Sequence, residues 1–231
     1  MPAVEEILVR IKGFSADEPT LAGAIALQAD PFAPLAILSH PHPAFGGTMD
    51  NKVVHHLARR LNEHGFSTLR YQFRGVGQSE GVHDGRGAEV TDVLAAIVHG
   101  AQRTHGPVWL VGYSFGSWMS AAAAGRWLRT GARGVDPGRL QRLVLVAPPL
   151  SIYEIAVDPR VETVALLGDR DEFCSTDAFA VWVDGLRRER QGVPNAQPVH
   201  TGVLPDCVHG FHQCLRPLWG LWQAIDSGLR P

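Results

Sequence analysis

Cysteine is scarce in this sequence, which has three in 231 residues: Cys174, Cys207 and Cys214. Their number is odd and their spacing is unpatterned, so the disulfide framework that holds many small secreted domains together is not expected. We interpret all three as reduced thiols, which is the state typical of a cytoplasmic protein.

Excess charge and long apolar runs are also missing. The net charge is -2 and the pI about 6.6, so the chain has no basic field to attract nucleic acid or anionic lipid. The longest apolar stretches, such as residues 143–150, fall far short of the ~20 residues that cross a bilayer. Acidic residues stand where a signal peptide would be basic. We therefore expect a cytoplasmic monomer or homodimer without membrane or nucleic-acid partners.

The composition that is present is typical of one folded domain. A chain of 231 residues can bury a sizeable core, and 45% hydrophobic with 19% charged residues is an ordinary globular balance. No internal repeat, low-complexity tract or compositional shift marks a second unit. We expect residues 1–231 to form a single domain.

Apolar segments rich in Val, Ile and Leu alternate with segments of helical spacing. This alternation predicts an α/β fold with a mostly parallel sheet of about eight strands and helices on both faces. The predicted strands cover residues 6–12, 21–29, 34–39, 67–73, 107–113, 142–147, 161–167 and 197–204. The predicted helices cover residues 49–64, 88–103, 115–128, 176–190 and 211–229.

The pattern G-x-S-x-G surrounds Ser114, between a predicted buried strand and a predicted helix. A nucleophile elbow needs this context, because its serine sits in a strained turn that raises the hydroxyl above the sheet. The positions two residues away then have room for almost no side chain, and both are glycine. Ser114 is therefore the candidate nucleophile. The alternative is a serine that only fills a tight turn.

The same pattern occurs a second time, around Ser79. An Arg-Gly loop precedes this serine and the polar stretch VHDGRG follows it, so no strand delivers it and no helix stands behind it. We interpret Ser79 as a loop serine. The structural context, and not the pattern, selects Ser114.

A serine hydroxyl is nucleophilic at neutral pH only when a base takes its proton and a third group holds that base. Three carboxylates, Asp169, Asp171 and Glu172, follow one predicted strand, and His209 and His212 follow the last one. The order serine, acid, histidine is the order expected after a nucleophile elbow.

Position selects among these candidates. Asp171 is the preferred acid, because Asp169 is close enough to the strand to shape the turn and Glu172 is long enough to face solvent. His209 is the preferred base, because it lies on the loop before the last predicted helix, whereas His212 is expected in the first turn of that helix.

An acyl-transfer site also needs backbone N–H groups aimed at the oxygen that becomes negative. One is expected from Phe115, the residue after the serine. The other is expected from the loop SHPHPAFGG, in which the prolines have no N–H. Ala44 is the first choice there, and Phe45 or His42 remains open.

His40 and His42 raise the alternative of an H-x-H metal site. Such a site needs further ligands at defined geometry, and neither an H-x-H-x-D continuation nor a cysteine partner is present. We prefer a histidine-lined loop, and we expect no metal and no other cofactor.

Four motifs span nearly the whole chain: HPHPAFGGTMDNKVV at residues 40–54, FRGVGQSEG at 73–81, GYSFG and GDRDE. Together they resemble a family of compact, lid-less bacterial α/β-hydrolases related to dienelactone hydrolases and small serine esterases. The resemblance implies the α/β-hydrolase fold with no lid domain, and the short connection at residues 148–160 agrees with this. Matched motif by motif, it implies a Ser-His-Asp triad of Ser114, His209 and Asp171.

Two positions depart from the family pattern. Gly210 replaces an aromatic residue beside the base, and Cys174 stands where the acid loop usually has proline or a small apolar residue. Both would reshape the pocket without removing the triad. Family members are mostly assigned as esterases or as hydrolases of unknown substrate, so the resemblance implies a mechanism more than a substrate.

We therefore expect a serine hydrolase that cleaves a carboxylic ester or thioester through an acyl-enzyme intermediate. Its small acyl substrate would bind in an open pocket lined by Phe45, Tyr113 and Tyr153. Two alternatives remain: a non-catalytic binding protein that retains the fold, and a metal-dependent hydrolase that uses His40 and His42.

Overall fold

In the computed structural model, residues 4–226 are described, and they form one eight-stranded sheet with five α-helices. The strands are β1 (Glu6–Ile11), β2 (Leu21–Ala26), β3 (Leu35–Ser39), β4 (Ser67–Tyr71), β5 (Val108–Tyr113), β6 (Leu140–Val146), β7 (Glu162–Arg170) and β8 (Val199–Val208). The helices are α1 (Lys52–Glu63), α2 (Val90–Ala101), α3 (Phe115–Thr130), α4 (Thr176–Glu189) and α5 (Leu215–Ile225).

The strands lie in the order β1-β2-β4-β3-β5-β6-β7-β8. The pairs β1–β2 and β2–β4 are antiparallel, and the other five are parallel. The prediction of a mostly parallel sheet of about eight strands is confirmed. Because the parallel strands end at one edge, the loops that follow β3, β5, β7 and β8 converge there.

Successive side chains of each strand point to opposite sides of the sheet. Both faces are apolar, and helices cover both. In β3, Leu35 and Ile37 belong to the core under α2 and α3, whereas Ala36 and Leu38 belong to the core under α1 and α5. Within residues 4–226, no helix is both long enough and apolar enough to cross a membrane.

The segment between β8 and α5 differs from the prediction. The helix begins at Leu215 and not near Phe211, which is fully buried and has a φ of 49°. A disulfide joins Cys207 to Cys214, with a Cα–Cα distance of 6.3 Å. The end of the predicted helix, residues 227–229, lies outside the described range.

The prediction of three reduced thiols is wrong for two of the three cysteines. Cys207 is the last residue but one of β8, Cys214 directly precedes α5, and the turn between them brings the two sulfur atoms together. Cys174 is the free one and is buried. The cysteines therefore give no support to the expected cytoplasmic location.

The connection between β6 and β7 contains no helix or strand, so no lid is inserted there. Both β7 and β8 run further than predicted and end at Arg170 and Val208. As a result, Asp171 and His209 directly follow two neighbouring strands.

Candidate active site

Ser114 occupies the sharp turn between β5 and α3. Its φ is 55° and its ψ -121°, a conformation that costs an L-residue about 1–3 kcal/mol. Its N–H donates to the carbonyl of Val146 at 2.9 Å, which ties the strained turn to β6. The hydroxyl makes no capping bond to the helix, so it is left for another partner.

The two glycines of the motif allow three elements to meet at this turn. A Cβ on Gly112 would lie 2.2 Å from the carbonyl oxygen of Gly116, and a Cβ on Gly116 would lie 2.3 Å from that of Ser39. Neither position can carry a side chain without moving backbone. The close approach places the loop after β3 directly beside the serine turn.

Ser114, His209 and Asp171 are brought together in one hydrogen-bonded chain. The Ser114 Oγ lies 2.8 Å from His209 Nε2, and His209 Nδ1 lies 2.7 Å from Asp171 Oδ2. An ionised carboxylate can only accept, so Nδ1 carries the imidazole proton and Nε2 accepts from the serine hydroxyl. This arrangement lets the imidazole take up the hydroxyl proton while the carboxylate stabilises the resulting charge.

The side chain of Asp171 is fully buried and both its oxygens are used. Oδ1 accepts from the backbone N–H of Phe173 at 2.8 Å. The neighbouring carboxylates hold the loops instead: Asp169 accepts from the N–H of Cys207, and Glu172 accepts from the N–H of His209 at 3.1 Å. Hydrogen bonds from its own backbone and from His209 hold the pKa of Glu172 below its usual value, so it accepts as a carboxylate.

Tyr113, predicted to line the substrate pocket, lies behind His209. Its side chain is buried, its hydroxyl donates to the carbonyl of His209 at 2.9 Å, and its ring stacks on the imidazole. Burial raises the pKa of Tyr113 well above its ordinary value, so the phenol remains a donor. Sequence reasoning did not predict this contact with the histidine loop.

His212, the histidine not preferred as base, lies elsewhere. It is exposed on the turn before α5, where its Nδ1 contacts the Nζ of Lys52. It makes no hydrogen bond with Ser114 or Asp171 within residues 4–226.

The expectation that Ala44 supplies the second oxyanion donor needs correction, because its N–H is already engaged within the loop. Its N–H donates to Nδ1 of the His42 side chain at 3.1 Å, and the N–H of Phe45 donates to the His42 carbonyl. Within the described residues, the backbone N–H groups of His42 and Phe115 have no acceptor. The rings of these two residues are in contact, with centroids 4.9 Å apart. Of the three candidates in the loop, His42 is the one whose N–H is free.

His40 is committed to the fold. It is fully buried, its Nε2 accepts from the N–H of Phe73 at 3.0 Å, and its Nδ1 donates to the carbonyl of Pro41 at 2.7 Å. Burial lowers the pKa of His40 to about 4, so the ring is neutral at physiological pH. With both nitrogens engaged it has no lone pair for a metal, and residues 4–226 contain no group of three or more His, Cys, Asp or Glu side chains suited to one.

The surroundings of Ser79 and Cys174 do not favour a nucleophilic role for either. Ser79 accepts from the N–H of Ala22 and donates to the carbonyl of Gln72, both at 2.9 Å, as a loop serine would. For Cys174, burial and then the charge of Asp171 raise the thiol pKa to about 11. That thiol is protonated at neutral pH.

Apolar surface lies beside the serine turn. Tyr153 stacks on Trp118 with centroids 4.1 Å apart and meets the edge of Phe115. Phe45 is 87% exposed and packs against His42. Beyond Tyr153, a groove of about 550 Å³ runs between the loop after β6 and helix α4. Its apolar lining includes Leu150, Ile152, Ile155, Val181, Trp182 and Leu186.

Solved structures share this architecture. A lid-less α/β serine hydrolase from Xanthomonas campestris has 28% identity, with 95% of this chain and 93% of that chain covered and a TM-score of 0.77. A protein of unknown function from Agrobacterium tumefaciens has 27% identity, with 93% and 92% covered and a TM-score of 0.77. An α/β serine hydrolase homologue from Coxiella burnetii has 30% identity, with 94% of each chain covered and a TM-score of 0.68.

The fold is therefore that of the lid-less α/β serine hydrolases, as the motifs implied. A protein-family model also matches residues 45–174, which are more than half of the chain. This chain belongs to the serine aminopeptidase S33 family. The matched region includes Ser114 and Asp171 and ends before His209.

Proposed function

We propose that this protein hydrolyses a carboxylic ester or thioester, with Ser114 as nucleophile, His209 as general base and Asp171 as the acid that orients the base. The hydrogen-bonded chain from Ser114 Oγ through the imidazole to Asp171 Oδ2 carries the proposal. A hydroxyl, an imidazole and a buried carboxylate in this order make a weak nucleophile reactive at neutral pH.

The reaction begins when Ser114 Oγ attacks the acyl carbon and His209 Nε2 takes the hydroxyl proton. The carbonyl oxygen becomes an oxyanion, and the N–H groups of Phe115 and His42 donate to it. The protonated imidazole then passes its proton to the leaving alcohol or thiol, which gives an acyl-serine. A water molecule, deprotonated by His209, releases the carboxylic acid and restores the serine.

The surroundings favour a substrate with an apolar acyl group. The site has no lid, and the groove beyond Tyr153 is lined mainly by aliphatic and aromatic side chains. A hydrocarbon chain that leaves water for such a groove gains ~25 cal/mol for each Å² buried. The family description supports a second candidate, the release of an N-terminal amino acid from a peptide by the same acyl-enzyme route.

Labelling and turnover test the proposal. A fluorophosphonate probe should label the wild type and the Ser79→Ala variant, and it should not label Ser114→Ala. Ser79 is the matched control because it has the same sequence pattern and no contact with His209. With p-nitrophenyl esters of increasing chain length, kcat of Ser114→Ala is expected to fall by at least about 10³-fold.

The same assays separate the alternatives. Faster turnover of aminoacyl coumarin amides than of esters would favour the aminopeptidase. Ester turnover that persists in Ser114→Ala and is lost to a chelator would favour a metal-dependent enzyme. A wild type that neither reacts with the probe nor turns over any of these substrates would contradict catalysis and favour a binding protein.

A further inference from the structure

A second carboxylate–histidine pair lies close to the serine turn, and the steps above do not use it. Glu89, immediately before α2, is fully buried, and its Oε1 accepts from Nδ1 of His83. The other carboxylate oxygen of Glu89 and Nε2 of His83 are buried and have no hydrogen-bond partner among the described residues. A buried carboxylate with one free oxygen is costly, because its lost hydration is not fully replaced.

The His83 ring contacts both residues that supply the proposed oxyanion donors. It meets the ring of His42 edge-on, with centroids 4.8 Å apart and an interplanar angle of 86°. It meets the ring of Phe115 at 5.7 Å and 87°. Since His42 and Phe115 also contact each other, the three rings form a closed triangle beside the serine.

The backbone of His83 packs against Gly75, and its side chain is held by Glu89. A Cβ on Gly75 would lie 2.8 Å from the His83 nitrogen, so the preceding loop packs directly on this residue. The bond from Nδ1 to Glu89 then fixes the imidazole about its side-chain torsions. Within residues 4–226, the pair makes no hydrogen bond to Ser114, Asp171 or His209, and its direct contacts with the site are those of the His83 ring with His42 and Phe115.

We propose that Glu89 and His83 are positioning residues for the oxyanion hole. The carboxylate fixes the His83 ring, and that ring braces His42 and Phe115 so that their two N–H groups point to the same place. The inference rests on the proposed function, because it assigns a role within that site.

Substitutions at position 89 separate bracing from charge. In Glu89→Leu the acceptor for His83 Nδ1 is lost. We expect kcat for a p-nitrophenyl ester to fall about 10- to 100-fold, with KM within about threefold of the wild type. This is less than the 10²- to 10³-fold, roughly, that complete loss of one oxyanion donor costs. Glu89→Gln keeps an oxygen that accepts from Nδ1 and is expected to stay within about threefold of the wild type. His99→Phe, at the far end of α2, is the control and should leave kcat unchanged.

A transition-state analogue gives a readout that a general loss of stability does not move. A trifluoromethyl ketone forms an oxyanion on the serine, so its inhibition constant should weaken in Glu89→Leu by about the factor lost from kcat. His83→Ala removes the brace directly and should give a similar loss. The double variant should lose no more than either single one, because both changes break the same contact.

Two results would overturn the inference: an unchanged kcat in both Glu89→Leu and His83→Ala, or a loss in Glu89→Gln as large as in Glu89→Leu, which would mean that charge and not bracing matters. The comparison is made with a wild type that the fluorophosphonate probe labels and that turns over the ester. If that wild type is inert, the proposed function has failed before the positioning role is tested.

Discussion

At the scale of residues, the backbone N–H of His42 can be removed without bending the chain. The φ of His42 is -57°, close to the -65° of proline. His42→Pro and His42→Ala both lose the imidazole, and only the proline variant also loses the backbone N–H. We expect kcat of His42→Pro to lie about 10²- to 10³-fold below that of His42→Ala, with similar KM, in steady-state assays with a p-nitrophenyl ester. Equal kcat values in the two variants would show that another group binds the oxyanion.

The sequence was sufficient to predict Ser114, Asp171 and His209 as candidates that meet in space, because each follows a strand recognisable from its apolar pattern. It was not sufficient to choose among His42, Ala44 and Phe45. That choice depends on which N–H groups the loop uses for its own turn, and the His42 side chain caps this turn through Nδ1. Such a bond depends on a torsion angle that no spacing of residues reveals.

At the scale of elements, the disulfide encloses the turn that carries His209. Closing a loop between residues seven positions apart is worth about 2–3 kcal/mol through the entropy of the unfolded chain. We expect the double variant Cys207→Ala/Cys214→Ala to lose about this much unfolding free energy in urea. Its kcat should also fall by about tenfold, because His209, the proposed base, is held less accurately.

Cys174→Ala, which leaves the turn intact, is the control for this pair. Thiol titration of the denatured wild type without reductant should find one free thiol, that of Cys174. Three free thiols, or a double variant as stable and active as the wild type, would contradict the role of the cross-link.

The same segment marks a limit of sequence reasoning at this scale. The helical pattern extends back to Phe211, but Phe211 lies in a turn with a positive φ and is buried, and α5 begins only at Leu215. An apolar residue just before a helix looks like part of its buried face. Neither the turn nor the pairing of Cys207 with Cys214 follows from the number and spacing of cysteines, because both depend on where β8 ends.

At the scale of the whole molecule, two buried histidines make stability depend on pH. Burial lowers the pKa of His40 and of His99 from 6.5 to about 4. Between these values the unfolded chain binds protons that the folded chain does not, so stability is complete above pH 6.5 and is lost as the pH falls toward 4. For His40 the loss by pH 4 is at most about 3 kcal/mol.

Urea unfolding at pH 7.5 and pH 5.0 measures this dependence. The wild type should be less stable at the lower pH, and His99→Phe should lose less on acidification because it has one fewer such group. His55→Phe, on the exposed face of α1, should behave like the wild type. Equal losses in His99→Phe and the wild type would remove His99 from the explanation.

The general architecture followed from the alternation of strands and helices, but the order of the strands did not. The hydrophobic pattern shows that a segment is buried on both faces and says nothing about which strands lie beside it. Strand β2, for example, pairs with β4 and not with β3, the next strand in sequence, and this choice is a property of packing over long sequence distances. The site could be anticipated because it depends on where strands end more than on how they are ordered.

The histidine that is proposed to move the proton directly follows β8, one of the two edge strands of the sheet. An outer strand has a hydrogen-bonded neighbour on one side only, so it peels away at a lower free-energy cost than the central strand that carries the serine. The covalent link between Cys207 and Cys214 lies at this edge, beyond which residues 4–226 place no further strand. We therefore expect the edge of the sheet at β8, more than its packed centre, to limit how long the proposed catalytic centre survives heat or denaturant.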